Sequence, residues 1–183
     1  KELKSEYKAG EIIRNAILGI AMTVPQKFSA KLDNDELKIE FRSTDPNFSG
    51  KIIASYGFGM NTATVRTDLQ KPIPINDKVS FQPLEAIKSE GNVISQKYGA
   101  RGSSGVVIMH VAAYIRDTTE GPGGFAFYGV AIEKDEGKVS ESLDALLASI
   151  QSQTMEENNQ AKEALAKGKW LGGQSEDINS SQN

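Results

Sequence analysis

The sequence contains no cysteine and a single histidine, and these two shortages exclude several kinds of chemistry. Without cysteine the chain has no disulfide framework, no thiol nucleophile and no thiolate metal site. The single histidine is His110, so a zinc site or a Ser/His mechanism would have no second imidazole to use. We therefore expect no metal and no cofactor, and the sequence nominates no catalytic residue.

An excess of positive charge and a long apolar run are also missing. The chain has 21 Lys and Arg residues against 24 Asp and Glu residues, which gives a formal net charge of -3. Such a balance does not favour a nucleic-acid partner, because phosphate binding depends on an excess of basic residues. The longest apolar runs, Ile17–Met22 and Val106–Ile115, fall short of the ~20 residues that a transmembrane helix needs. The sequence predicts no transmembrane span.

What is present is the composition of a globular protein. The chain has 183 residues, of which 38% are hydrophobic and 25% are charged, a size that suits one domain with a tail. We predict a single α+β domain over residues 1–152, followed over residues 153–183 by a C-terminal helix and a mobile tail or linker. The predicted C-terminal helix spans Met155–Lys167 and has few apolar residues of its own. Trp170 is predicted to anchor it.

Short β-type segments separated by turn residues occupy the first two thirds of the chain. Alternating apolar residues on either side of Asp33-Asn34-Asp35 predict a β-hairpin. Thr62–Val65 is predicted to be extended, and the two prolines of Lys71–Asn76 predict a surface linker. Three longer segments predict an antiparallel meander: Asn92–Tyr98, Gly105–Ile115 and Phe125–Glu133.

The clearest helical pattern follows the meander. Leucine and isoleucine recur at i, i+3, i+4 and i+7 from Leu143 to Ile150, and Ser140 is a suitable N-cap. A sheet with one apolar face needs a cover, and this amphipathic helix is the natural candidate. The predicted fold class is α+β, with an antiparallel β-meander sheet covered by a C-terminal amphipathic helix.

Two segments contain candidate ligand-binding residues. In the glycine-rich stretch Gly57–Asn61, the residues Phe58, Met60 and Asn61 are typical of a binding rim, although a core position is the favoured interpretation of Phe58 and Met60. Lys97 and Arg101 flank a Gly- and Ser-containing loop that suits an anion, although an ordinary hairpin loop has the same composition. His110 lies in an apolar strand and is predicted to be structural.

The order of these parts resembles the PsbP-like superfamily, especially its exported bacterial members. The apolar strand Leu18–Val24 leads into Pro25 and then Phe28, a meander follows, and Leu143–Ile150 is the closing helix. Gln26 and Lys27 stand where a glycine is usual. The resemblance implies an antiparallel sheet with helices packed against it, and a non-enzymatic role in docking, assembly or ligand binding. It implies no ligand-binding residues at particular positions of this chain.

We therefore predict a non-catalytic, exported binding or assembly module whose partner is a protein or a small-molecule ligand. Its predicted location is periplasmic or secreted, with the cytoplasm as the alternative. The competing interpretation is a small hydrolase or isomerase with a pocket on the open face of the sheet. A cleft where ionisable groups converge would favour the enzyme, and a flat or apolar groove would favour the module. The sequence leaves the oligomeric state open.

Overall fold

The computed structural model describes residues 4–16, 18–118, 121–152 and 155–166. Antiparallel β-structure dominates these residues, as predicted, and short helices complete an α+β fold. The strands in chain order are β1 (Glu6–Tyr7), β2 (Ile12–Asn15), β3 (Ile20–Thr23), β4 (Phe28–Asp33), β5 (Lys38–Ser43), β6 (Lys51–Phe58), β7 (Ile73–Pro74), β8 (Ser80–Pro83), β9 (Lys88–Glu90), β10 (Val93–Gly102), β11 (Gly105–Thr118), β12 (Gly121–Ile132) and β13 (Gln151–Ser152).

Ten of the described strands form one large sheet, and three form a small one. The large sheet has the order β1-β4-β5-β6-β12-β11-β10-β8-β7, and β9 also pairs with β10. The predicted hairpin is β4 and β5, and the predicted meander is β10, β11 and β12, which pair antiparallel along most of their length. The small sheet has the order β13-β3-β2.

Three α-helices occur in the described residues: α1 (Thr62–Asp68), α2 (Glu136–Ala148) and α3 (Met155–Ala166). The extended structure predicted over Thr62–Val65 is wrong, because these residues form the first turn of α1. The side chain of Asn61 accepts a hydrogen bond from the backbone N–H of Thr64 at 2.9 Å, which caps the helix. This capping stabilises a helix in residues whose β-branched side chains favour a strand.

The larger core lies on the side of the sheet that contacts α2, which we call the α2 face. Phe41, Phe125 and Phe127 from the sheet are fully buried there, together with Leu146 of α2. The small sheet contributes Ile13, Ile20 and Met22 to the same core. The α2 face is therefore shared by one helix and one small sheet.

The opposite side of the sheet, the α1 face, has a smaller core. Tyr98, Met109 and Val111 are buried against Leu69, the residue that ends α1. The hydroxyl of Tyr98 donates to the backbone oxygen of Leu69 at 2.8 Å. This core lies over β10 and β11, and Tyr128 and Val130 of β12 pack against it.

α3 coincides with the second predicted helix up to Ala166, and Met155 is 82% exposed. Trp170 and the predicted tail lie outside the described residues, so the anchor and the division at residue 152 stay predictions. No helix among the described residues is long and apolar enough to cross a membrane.

Candidate functional site

Phe58 is a large aromatic side chain held outside the core. It is the last residue of β6 and is 69% exposed. Its ring meets the ring of Tyr56 edge to face at 4.8 Å, and Tyr56 packs in the same way on Phe125 at 5.6 Å. Because Tyr56 and Phe125 are buried, they hold the Phe58 ring at a defined place on the surface. Burial also raises the pKa of the Tyr56 phenol.

Met60 and Asn61 have structural roles in the turn that follows Phe58. A Cβ atom on Gly57 would lie 2.6 Å from the Met60 methyl carbon, and one on Gly124 would lie 3.0 Å from its sulfur. The absence of side chains at both glycines therefore lets Met60 pack on the sheet, on the face opposite to Phe58. Asn61 is occupied by the cap of α1. Of these three candidates, Phe58 is the large apolar side chain that is exposed.

Lys97 belongs to a cluster of ionisable groups on the α2 face. Its Nζ lies 2.8 Å from Oε1 of Glu136, the first residue of α2, and Nε2 of His110 lies 3.4 Å from Oε2 of the same carboxylate. All three side chains are partly buried. The hydrogen bond between Lys97 and Glu136 lowers the pKa of the carboxyl group and raises that of the lysine. This carboxylate joins β10 and β11 to α2.

Glu136 is not among the candidate residues predicted from the sequence. A glutamate at the start of a helix is ordinarily explained by its favourable interaction with the helix dipole. Its position in the sequence therefore gave no indication that it pairs with Lys97 and His110. The register of β10 and β11 could have revealed this pairing, because it places Lys97 opposite His110. Two cationic or protonatable residues at one cross-strand position indicate a shared acidic partner.

The five candidate residues do not form one site. Lys97 lies in the cross-strand row that contains His110, Gly129 and Ile52, whereas Phe58 lies opposite Gly123. Ile52 and Phe58 are six residue steps apart along β6, which corresponds to about 20 Å. Arg101 is exposed, and it lies still farther from Phe58, beside the β10–β11 turn. The Phe58–Asn61 segment and the Lys97–Arg101 segment are therefore separate surfaces.

A broad depression of about 1270 Å³ lies beside β1, β4 and β5. Its charged side chains are mutually paired rather than convergent. Lys4 Nζ lies 2.7 Å from Glu11, Arg42 Nε lies 2.7 Å from Glu40, and Lys38 pairs with Glu36. Pairs of this kind on an open surface are solvated and contribute little to stability or binding.

The ionisable groups share one tendency across the described part of the chain. Each group whose pKa departs from its ordinary range moves away from neutral pH. Hydrogen bonds with opposite charges lower the pKa of the carboxyl groups and raise that of the basic groups, and burial raises the pKa of the phenols. The groups are Glu11, Glu40, Glu85 and Glu136, then Lys38, Arg42 and Lys97, then Tyr56, Tyr98 and Tyr128.

The fold defines a class of protein: an antiparallel sheet with apolar cores on both faces. One solved structure with this fold is LpqN of Mycobacterium tuberculosis, described as involved in cell envelope biogenesis. It aligns with a TM-score of 0.53 and 11% identity over 74% of this chain and 83% of LpqN. At this identity the likeness shows the fold alone.

A second solved structure is the Ran-binding protein Mog1p of Saccharomyces cerevisiae. It aligns with a TM-score of 0.44 and 14% identity, over 73% of this chain and 90% of Mog1p. A score this low supports no conclusion about this chain. No protein-family model matches the sequence, and no curated protein matches it.

Proposed function

We propose that this chain is a non-catalytic binding or assembly module whose partner contacts the protein at Phe58. The observation that carries the proposal is the exposure of this ring, which Tyr56 and Phe125 hold in place. A rigid, exposed aromatic side chain loses little conformational entropy on binding and is typical of an interface anchor. Ligand contacts at Lys97 and Arg101 stay predictions, and Lys97 is already paired with Glu136.

The ionisable groups support a non-catalytic role. A general acid or base works best when its pKa lies near the working pH, which enzymes reach by raising a carboxyl pKa or lowering that of a lysine. The shifts at Glu136 and Lys97 have the opposite directions. The competing hydrolase or isomerase would need convergent groups, and the depression beside β4 and β5 holds paired ones instead.

We also propose that the protein works outside the cytoplasm, in the periplasm or as a secreted protein. The absence of cysteine is compatible with an oxidising compartment, and LpqN, which shares the fold, is described as involved in cell envelope biogenesis. Fractionation of cells that express the complete gene product tests this. Recovery in the periplasm or medium is expected, and recovery with the cytoplasmic marker would contradict it.

Site-specific photo-cross-linking tests the binding surface. A benzophenone amino acid replaces Phe58 in the protein expressed in its native host, and the same amino acid replaces Ile75 as the control. Ile75 is suitable because it is also a large, exposed apolar residue, at 52% exposure, near the far edge of the sheet. The proposal predicts a discrete cross-linked product at position 58 that excess unmodified protein suppresses. Identical products at both positions, or none at position 58, would contradict it.

A further inference from the structure

Arg116 is a cation at the same end and on the same face of the sheet as Phe58. It lies on β11 opposite Gly123 of β12, and Gly123 in turn lies opposite Phe58 of β6. Tyr56 and Tyr114, two residues earlier on the same strands, contribute to the core of the α2 face, so Phe58 and Arg116 also project from that face. Two spacings between neighbouring strands separate them, which corresponds to about 10 Å.

One nitrogen of the Arg116 guanidinium is held by the small sheet. Nη1 donates to the backbone oxygen of Gly19 at 3.3 Å and to the hydroxyl oxygen of Ser152 at 3.4 Å. Gly19 immediately precedes β3, and Ser152 is the last residue of β13. These hydrogen bonds restrict the direction of the side chain but leave its charge uncompensated, because neither acceptor is a carboxylate.

The other edge of the guanidinium is available to a partner. Nε and Nη2 of Arg116 make no hydrogen bond with a described residue, and they are not among the polar atoms buried without a partner, so both are open to solvent. Arg116 forms no ion pair with any carboxylate in the described part of the chain, whereas Lys38, Arg42 and Lys97 are each paired with a glutamate. Two parallel N–H donors of this kind bind a carboxylate in a bidentate manner.

The acidic residues nearest to Arg116 and Phe58 in the fold lie elsewhere. Asp117 is the next residue of β11, so its side chain projects from the opposite face of the sheet. The acidic turn Asp33–Glu36 connects β4 and β5, and the strand order places it beyond β6, on the far side of Phe58 from Arg116. The positive charge at Arg116 therefore favours an acidic group on a partner.

We propose that the partner bound at Phe58 is a protein segment that presents an apolar side chain to this ring and, about 10 Å away, an aspartate or glutamate side chain to Nε and Nη2 of Arg116. The inference rests on the proposed binding function and specifies the chemistry of the partner. Phe58 is the apolar anchor of the surface. Arg116 is its specificity residue, because a charge-assisted pair at a fixed distance from the anchor sets the orientation of the partner.

The first test quantifies the cross-linked product at position 58 in the native host. Arg116→Gln removes the charge and retains a donor for Gly19 or Ser152, and it should lower the yield at least about fivefold. Arg116→Lys, which keeps the charge, should retain more of the product than Arg116→Gln. Lys78→Glu is the control, because Lys78 is exposed between β7 and β8 and its larger charge change should leave the yield unchanged. Urea midpoints of the purified variants verify that each is folded.

The second test is a double-mutant cycle that identifies the partner carboxylate. Mass spectrometry of the cross-linked peptide gives the partner residues beside position 58, and each aspartate or glutamate there is replaced by its amide. In calorimetric titrations, one of these replacements and Arg116→Gln should each weaken binding at least about fivefold, and the two together should weaken it no more than either alone.

Two results would overturn this inference and leave binding at Phe58 intact: an unchanged cross-link yield with folded Arg116→Gln, or effects in the cycle that are additive for every acidic residue of the partner. The absence of a discrete cross-link at position 58 in the protein that retains Arg116 is a different result. It would contradict the proposed function itself, and this inference with it.

Discussion

Replacing Leu146 with alanine tests whether α2 is the main cover of its face of the sheet, as we propose. Leu146 is fully buried on α2, in the core that includes Phe125 and Phe127. The substitution removes buried methyl and methylene groups and leaves a cavity that the sheet fills only in part. Substitutions of this kind lower the free energy of unfolding by about 2–5 kcal/mol.

Urea unfolding followed by far-ultraviolet circular dichroism measures this loss. With a slope of about 2 kcal/mol per molar urea, a loss of about 3 kcal/mol lowers the midpoint by about 1.5 M. Asp144→Ala is the matched control, because Asp144 is exposed on the same helix and should change the free energy by less than about 0.5 kcal/mol. A midpoint that Leu146→Ala leaves in place would show that the apolar stripe of α2 does not support the sheet.

Three further substitutions test local features of the fold. Glu136→Gln should lower the free energy of unfolding by about 1 kcal/mol at neutral pH, because the hydrogen bond with Lys97 lowers the pKa of Glu136 in the folded protein. This stabilisation is present above the ordinary pKa of 4.5 and is lost as the pH falls through the lower pKa of the folded protein, so the urea midpoints of the variant and the wild type should converge as the pH is lowered below 4.5. Persistence of the full difference at pH 3 would contradict the ion pair. His110→Gln should cost about 1 kcal/mol, measured by the same unfolding curves, and a loss of 4 kcal/mol or more would show that His110 does more than contact Glu136. Lys27 has a positive φ of 64°, and its backbone oxygen accepts a hydrogen bond from the backbone N–H of Thr44. Lys27→Gly retains that hydrogen bond and should raise the free energy of unfolding by about 0.5–1 kcal/mol, because glycine adopts a positive φ without strain. An unchanged or lower melting temperature would show that the turn is not strained.

The strands were predictable because alternation is a local property. In β4 and β5, buried and exposed residues alternate as their apolar pattern indicates, and Asp33 lies at the turn between them. The prediction of α1 failed because its threonines and Val65 favour a strand, and one side-chain cap outweighed that preference. The beginning of α2 was misplaced at Ser140. The helix begins at Glu136, after a 3-10 turn, where Val139 gains complete burial.

The candidate site was less predictable, because sequence spacing does not report which strands are neighbours. Phe58 and Met60 are two residues apart, yet the turn at Gly59, with φ of 64°, sends their side chains to opposite faces of the sheet. Lys97 was found by composition, but its partner Glu136 lies 39 positions along the chain and meets it only through the register of β10. Long-range pairings of this kind are set by the whole topology and not by a local pattern.

The most direct test of the binding module measures affinity for the partner that cross-linking at Phe58 identifies. Isothermal titration calorimetry with the purified partner compares the wild-type protein, Phe58→Ala and the control Ile75→Ala. If Phe58 is the anchor, Phe58→Ala weakens binding by about 2 kcal/mol, which is roughly thirtyfold, and Ile75→Ala changes it by less than about twofold. Equal affinities for Phe58→Ala and the wild type would contradict the proposed surface.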